Sequence, residues 1–199
     1  MAAEKLDTEI RREQIAQAAL QIWGTRGIRR LSVSAVAEQV GLVPSAIYRH
    51  FEGKEEVLEA ALELIGERLM ANVEAVCRES TGALERLERL LDRHVRLIRE
   101  NQAVPRVMFS DEMAGGDSIR KTKLYEMIRA YVRGVARIVR QGQKAGEIRS
   151  DVPSDAIAML FVSIIQPAAV LWHLSDGQFD IARHAKRTWR LFHDAIVSG

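Results

Sequence analysis

The chain has 199 residues, of which 47% are hydrophobic, 28% charged and only 4 proline, a composition that excludes a disordered or low-complexity chain and allows a sizeable core. Cys77 is the only cysteine, so a disulfide framework, or a multi-cysteine zinc or iron–sulfur site within one chain, is excluded. The net charge of +2 sits at one end: the first 54 residues hold 8 basic and 6 acidic side chains, and the other 145 hold 21 of each.

In chain order, Asp7 or Thr8 is expected to cap a first helix whose inward positions are Ile15, Ala18, Ala19, Ile22 and Trp23, with Gly27 ending it. Ser32 caps a short second helix carrying Val33, Val36, Ala37 and Val40, and Gly41 stops it. Pro44 opens a third, running to about His50. Gly53 is a permissible cap for a long fourth helix, with Glu55 and Glu56 at its positive end. Thr81 and Gly82 break that pattern before a fifth helix with Leu84, Leu87, Leu91, Val95 and Ile98 inward.

Pro105 and Gly115-Gly116 mark further breaks, and a long helix is expected from about Ile119 to Gln143. Gly146 and Pro153 bracket a turn, Ser154 caps an apolar helix to about Leu174, and Ile181, Ala185, Trp189, Phe192 and Ile196 line the last helix. No strand-like alternation occurs, so the fold class is all-α. Ala156 to Leu174 approaches the length of a membrane span. Ser163, Gln166, Pro167 and His173 interrupt it, and it lacks flanking basic clusters or aromatic belts, so a helix buried in protein on all sides, with no membrane, is expected. The opening MAAEKLDTEIRREQ holds no apolar run of signal-peptide length, and the expected location is the cytoplasm.

Two short helices joined at a sharp angle can place the second in the DNA major groove if a tight turn and an apolar brace hold them. Gly41 supplies the turn, and Val36, Ala37, Val40, Leu42, Ile47 and Phe51 supply the brace. Pro44, Ser45, Ala46, Tyr48, Arg49 and His50 are left facing outward, with hydroxyls, a cation and an imidazole suited to phosphates and base edges. Between Arg26 and His50 only Glu38 opposes Arg26, Arg29, Arg30 and Arg49, a footprint that suits a polyanion and equally a solvated face.

The run SVSAVAEQVGLVPSAIYRHFEGKEEVL, preceded by RREQIAQAALQIWGTRG, resembles the DNA-binding region of TetR-family regulators over roughly Thr8 to Leu69. The resemblance implies about nine helices in two domains: a helix-turn-helix domain at 8–54, its motif about 31–50, and a ligand-binding and dimerisation domain at 55–199. It further implies a homodimer on a roughly palindromic operator in double-stranded DNA, and a repressor released by a small, mostly apolar effector. Carried over by position, Ser32 and Ser34 match phosphate- and base-contacting places, Pro44, Ser45 and Ala46 the groove-facing start of the recognition helix, and Tyr48, His50 and Lys54 phosphate contacts. Arg49 occupies a variable place used for bases or phosphates. Two positions depart from the pattern: Val43 where many members have a capping Ser or Thr, and Ala35 where an acidic residue often closes a capping box.

Beyond this region, His94 falls on the apolar face of the fifth helix. With Phe109, Tyr125, Gln166, Trp172 and His173 it is a candidate for the few polar and aromatic groups of a ligand pocket, or else a core histidine. Pro167 is expected to bend the apolar helix and open space beside His94 and Phe109. His94, Asp111, Glu112 and His173 have no metal-ligand spacing, and no metal or cofactor is expected. The absence of a nucleophile motif or phosphate loop argues against an enzyme. The alternative is a DNA-binding architectural or cell-division factor that acts through a protein partner. Trp189 and Phe192 are expected to form, with the apolar helix, a dimer interface.

Overall fold

The computed structural model describes residues 2–101, 105 and 118–198. Among them every regular element is helical, apart from an isolated antiparallel bridge between Ile148 and Val197. The helices are α1 (Ala2–Arg26), α2 (Val33–Gln39), α3 (Pro44–Ile47), α4 (Lys54–Glu79), α5 (Ala83–Glu100), α6 (Ser118–Ala145), α7 (Ser154–Leu174) and α8 (Ile181–Ile196), with a 3₁₀ turn at Ile28–Arg30. The all-α expectation holds. The described residues form two compact units, one within 1–67 and 101–125, the other within 68–100 and 126–199.

In the first unit, the expected inward positions of α1, Ile15, Ala18, Ala19, Ile22 and Trp23, are all buried. The helix starts earlier than expected, however. Nothing in the segment from Ala2 to Leu6 breaks a helix, and α1 runs straight through Asp7 and Thr8 instead of being capped by them. At its other end Gly27, at φ 80°, donates its N–H to the Trp23 carbonyl at 2.9 Å, the left-handed stop that a glycine adopts without cost. The expected boundary at 54/55 falls at the head of α4. Val57, Leu58, Ala61, Leu62 and Ile65, on the first half of that continuous helix, are buried, and residues as far as Glu67 belong to the first unit.

In the second unit, α5 buries Ala83, Leu87, Leu90, Leu91, Val95 and Ile98, while Leu84 is only half-buried. Its first turn is capped from a distance: the Glu147 carboxylate accepts the N–H groups of Ala83 and Leu84 at 2.7 and 3.3 Å. That satisfies two donors a helix start otherwise leaves orphaned. The expected cap of α7 is corrected, since Pro153 precedes the helix and Ser154 is its first residue, its hydroxyl accepting from Arg140 at 3.2 Å.

The apolar helix α7 is not buried on all sides. Ile157, Ala158, Phe161, Ile164, Ile165, Ala168 and Trp172 face inward, but Met159, Leu160 and Leu171 are about half exposed and Leu174 is 73% exposed. Composition alone could not foresee this, because an all-round apolar helix reads the same whether its second face meets the same chain or something else. By length and apolarity α7 would also suffice to cross a membrane, but half of its most apolar window is buried within the chain. A second correction concerns α8. Trp189 and Phe192 do not form an outward stripe; both are buried, with the Phe192 ring 5.7 Å from Phe161 of α7 and 5.6 Å from Trp189.

Candidate nucleic-acid interface

The turn between α2 and α3 follows from local chemistry. Ser32 accepts the Ala35 N–H at 3.1 Å, which caps α2, and with Ala at position 35 there is no carboxylate to return the bond. At the other end the Leu42 N–H reaches the Ala37 carbonyl at 2.8 Å and the Gly41 N–H reaches Glu38 at 3.2 Å, with Gly41 at φ 69°. This pair of bonds is the Schellman stop, and the positive φ is why glycine stands there. Val43 then leads into α3 with no side-chain cap, and Pro44 takes the first helical position.

Helix α3 is shorter than expected. It ends at Ile47, and Tyr48 to His50 form a turn. Four residues cannot hold a helix by their own hydrogen bonds, so its position depends on Ile47 (fully buried) and Phe51 (2% exposed). Around that anchor Pro44, Ser45, Tyr48 and Arg49 are exposed, Ala46 is half-buried, and Ser32 and Ser34 are exposed at the start of α2.

His50 departs from the expected outward placement, and Lys54, a phosphate contact by the resemblance, is also half-buried. His50 is half-buried, and its Nδ1 atom is enclosed without a hydrogen-bond partner. Burial, and then the positive charges of Arg11, Arg12 and Arg49, hold its pKa below the ordinary histidine value, so the imidazole is neutral at pH 7. The Lys54 ammonium donates to the Ile28 carbonyl at 3.1 Å, fastening the 3₁₀ turn to the head of α4.

Sequence reasoning missed Arg12, which joins three elements. Its guanidinium lies 4.1 Å from the Phe51 ring centroid, donates to the His50 carbonyl, and donates to Glu56 Oε1 at 3.0 Å. Glu56 Oε2 in turn accepts the Glu52 N–H at 2.7 Å. That backbone bond, and next the Arg12 guanidinium, hold the Glu56 carboxyl below its ordinary pKa. The available signal was an arginine on the inward stripe of α1, three residues before Ile15 and seven before Ala19, where a cation needs a partner.

The described candidate ligand residues differ in their surroundings. His94 Nδ1 lies 3.0 Å from the buried Tyr131 hydroxyl, with the two rings edge to face at 5.2 Å. Burial drives the His94 pKa down to about 4 and the Tyr131 pKa up. Tyr125 and Gln166 are exposed, Trp172 is buried and His173 is half-buried at the end of α7. Pro167 lies within α7 but is exposed. Phe109, Asp111 and Glu112 lie outside the described residues. Among the described residues no three His, Cys, Asp or Glu side chains gather as for a metal.

A short helix presented over a sealed apolar brace, with hydroxyls and a guanidinium on its open side, defines a helix-turn-helix DNA-binding transcriptional regulator. The family described as "Bacterial regulatory proteins, tetR family" matches residues 15–61, and "Tetracyclin repressor-like, C-terminal domain" matches residues 80–196. The chain belongs to the TetR family. Among its relatives, it is 28% identical over 130 residues to nucleoid occlusion factor SlmA of Marinomonas sp. (strain MWYL1), covering 64% of this chain and 66% of that protein. It is 22% identical over 186 residues to the fatty acid metabolism regulator protein of Bacillus subtilis (strain 168), covering 94% and 93%. In fold it is similar to FadR of Bacillus subtilis in complex with stearoyl-CoA, with a TM-score of 0.77, 22% identity and coverage of 90% and 96%.

Two consequences can be measured. Replacing Arg12 with Ala removes a guanidinium–ring contact and two charge-assisted hydrogen bonds at a part-exposed site, for an expected loss of about 1 to 2 kcal/mol in urea unfolding. A loss indistinguishable from zero would deny Arg12 this role. For His94 the folded pKa lies below that of the unfolded chain, so the unfolded state takes up the extra proton. Stability is full above about pH 6.5 and falls as the pH drops toward about 4, by about 1 to 2 kcal/mol at this part-buried site. The variant His94→Gln should lose this component, so a pH profile parallel to that of the wild type would contradict it.

Proposed function

We propose that the chain is a cytoplasmic homodimeric repressor that reads a roughly palindromic operator with α3 and leaves it when a small, mostly apolar effector binds. The observation that carries the DNA reading is the division of α3 and its turn into a buried side, Ile47 and Phe51, and an exposed side, Ser45, Tyr48 and Arg49. Ser32, Ser34, Tyr48, His50 and Lys54 are assigned to the backbone and its surroundings; Pro44 and Ala46 fit against the groove, and Ser45 and Arg49 read bases. His50, being neutral, acts as a hydrogen-bonding group and not as a cation.

The exposed apolar side of α7 supports the dimer, and Leu191 of α8, 73% exposed, extends the apolar surface available to a second copy. The effector reading draws on the likeness to the Bacillus subtilis protein seen with stearoyl-CoA. A second reading, DNA binding coupled to a protein partner, is favoured by the relatives named as nucleoid occlusion factors. Release of DNA by long-chain acyl compounds supports the first reading. Indifference to them, with a protein captured by the DNA-loaded dimer, supports the second.

Titrating variants against a selected operator and a scrambled duplex at several salt concentrations tests the DNA roles. Lys54→Ala should weaken both duplexes alike and lower the salt slope by about one. Arg49→Ala should relax preference by about 1 to 3 kcal/mol at the bases it reads. If instead Lys54→Ala changed preference while Arg49→Ala changed nothing, the roles would be wrongly assigned. For the dimer, light scattering at micromolar concentration should give twice the chain mass for the wild type and a lower mass for Leu160→Glu with Leu171→Glu. A monomeric wild type would refute the interface.

A further inference from the structure

We infer that Arg11, on α1, is a DNA backbone contact: it grips a phosphate beside the end of α3, outside the set of residues assigned to the interface above. The inference rests on the DNA-binding reading and deepens it. Its geometric basis is the bond from the Arg12 guanidinium to the His50 carbonyl, reinforced by the stacking of Arg12 on Phe51. That bond pins the α1 backbone at position 12 to the chain at position 50, so the next residues along, Arg11 and Arg49, are brought to the same corner of the first unit.

The charges at this corner are unbalanced. Among the described residues, Glu56 is the carboxylate bonded there, one of its oxygens accepting from Arg12 and the other from the Glu52 N–H. Arg11 is half-buried and Arg49 exposed, and neither side chain makes an ion pair or hydrogen bond with a described residue. Asp7, Glu9 and Glu13, the acidic residues within four positions of Arg11 in sequence, are exposed and do not pair with it. The positive field is felt locally, since Arg11, Arg12 and Arg49 all oppose protonation of His50. Guanidiniums near one imidazole with a single carboxylate bonded among them repel each other, and a phosphate offsets that repulsion while accepting up to two N–H bonds from one guanidinium. Arg12 is spent on internal partners, which leaves Arg11 as the α1 side chain free to reach the anion.

A phosphate contact needs no particular sequence, so the test uses a scrambled duplex of about 30 base pairs alongside a site selected from a random pool. Arg11→Ala should weaken both duplexes by the same factor and reduce the slope of log affinity against log salt by about 0.9. The ratio of wild-type to variant affinity should then shrink about 3.5-fold between roughly 50 and 200 mM salt. Arg11→Lys should restore the slope, and the Tm of Arg11→Ala should stay level or rise, because a like-charge repulsion has been relieved. An unchanged slope, a changed sequence preference, or a loss of affinity that tracks a lowered Tm would overturn the inference. If the wild type itself showed no salt-dependent DNA binding, the underlying DNA-binding reading would fall instead.

Discussion

The DNA-facing unit depends on one guanidinium. Arg12 stands where α1, the end of the recognition turn and the head of α4 meet, and it contacts all three through different chemistries: a ring face, a backbone carbonyl and a carboxylate. A four-residue helix has no stability of its own. Ile47 and Phe51 supply the apolar anchor, and Arg12 fixes the direction in which the chain leaves it. Lys54 makes the equivalent connection on the other side, from the head of α4 to the 3₁₀ turn. Basic residues thus serve two purposes in this unit: some are consumed internally to set the geometry, and others remain open.

Much of this was legible in the sequence. The stops at Gly27 and Gly41, the cap at Ser32, the uncapped start at Val43 and the inward stripe of α1 all follow from steric and hydrogen-bonding rules acting over a few residues. Misreadings arose where a competing option was equally local. Asp7 and Thr8 are good caps, but nothing before them ends the helix, so α1 passes through. Ser154 gave way to Pro153 in the same manner.

What the sequence did not disclose was long-range. Nothing local to Arg12, Glu56 or Lys54 names the partners shown in the structure, which lie 26 to 44 positions away. Glu147, which caps α5, is 64 residues from Ala83. The two faces of α7 were indistinguishable because both are apolar, and only the packing of Phe161 and Trp172 shows which one the chain itself covers. His94 read equally well as a ligand group or a core group until its hydrogen bond to Tyr131 was seen.

The uncapped start of α3 has a consequence for how such a protein can change over generations. Its placement is borne by Ile47, Phe51, Arg12 and the Gly41 turn, none of which belongs to its open surface. Ser45, Tyr48 and Arg49 contribute little to holding the helix where it is, so exchanging them costs the fold almost nothing. Mutations at these three positions are therefore nearly neutral for folding, and selection can act on them for their contacts alone. Such a chain can drift toward a new target while its scaffold stays under separate constraint.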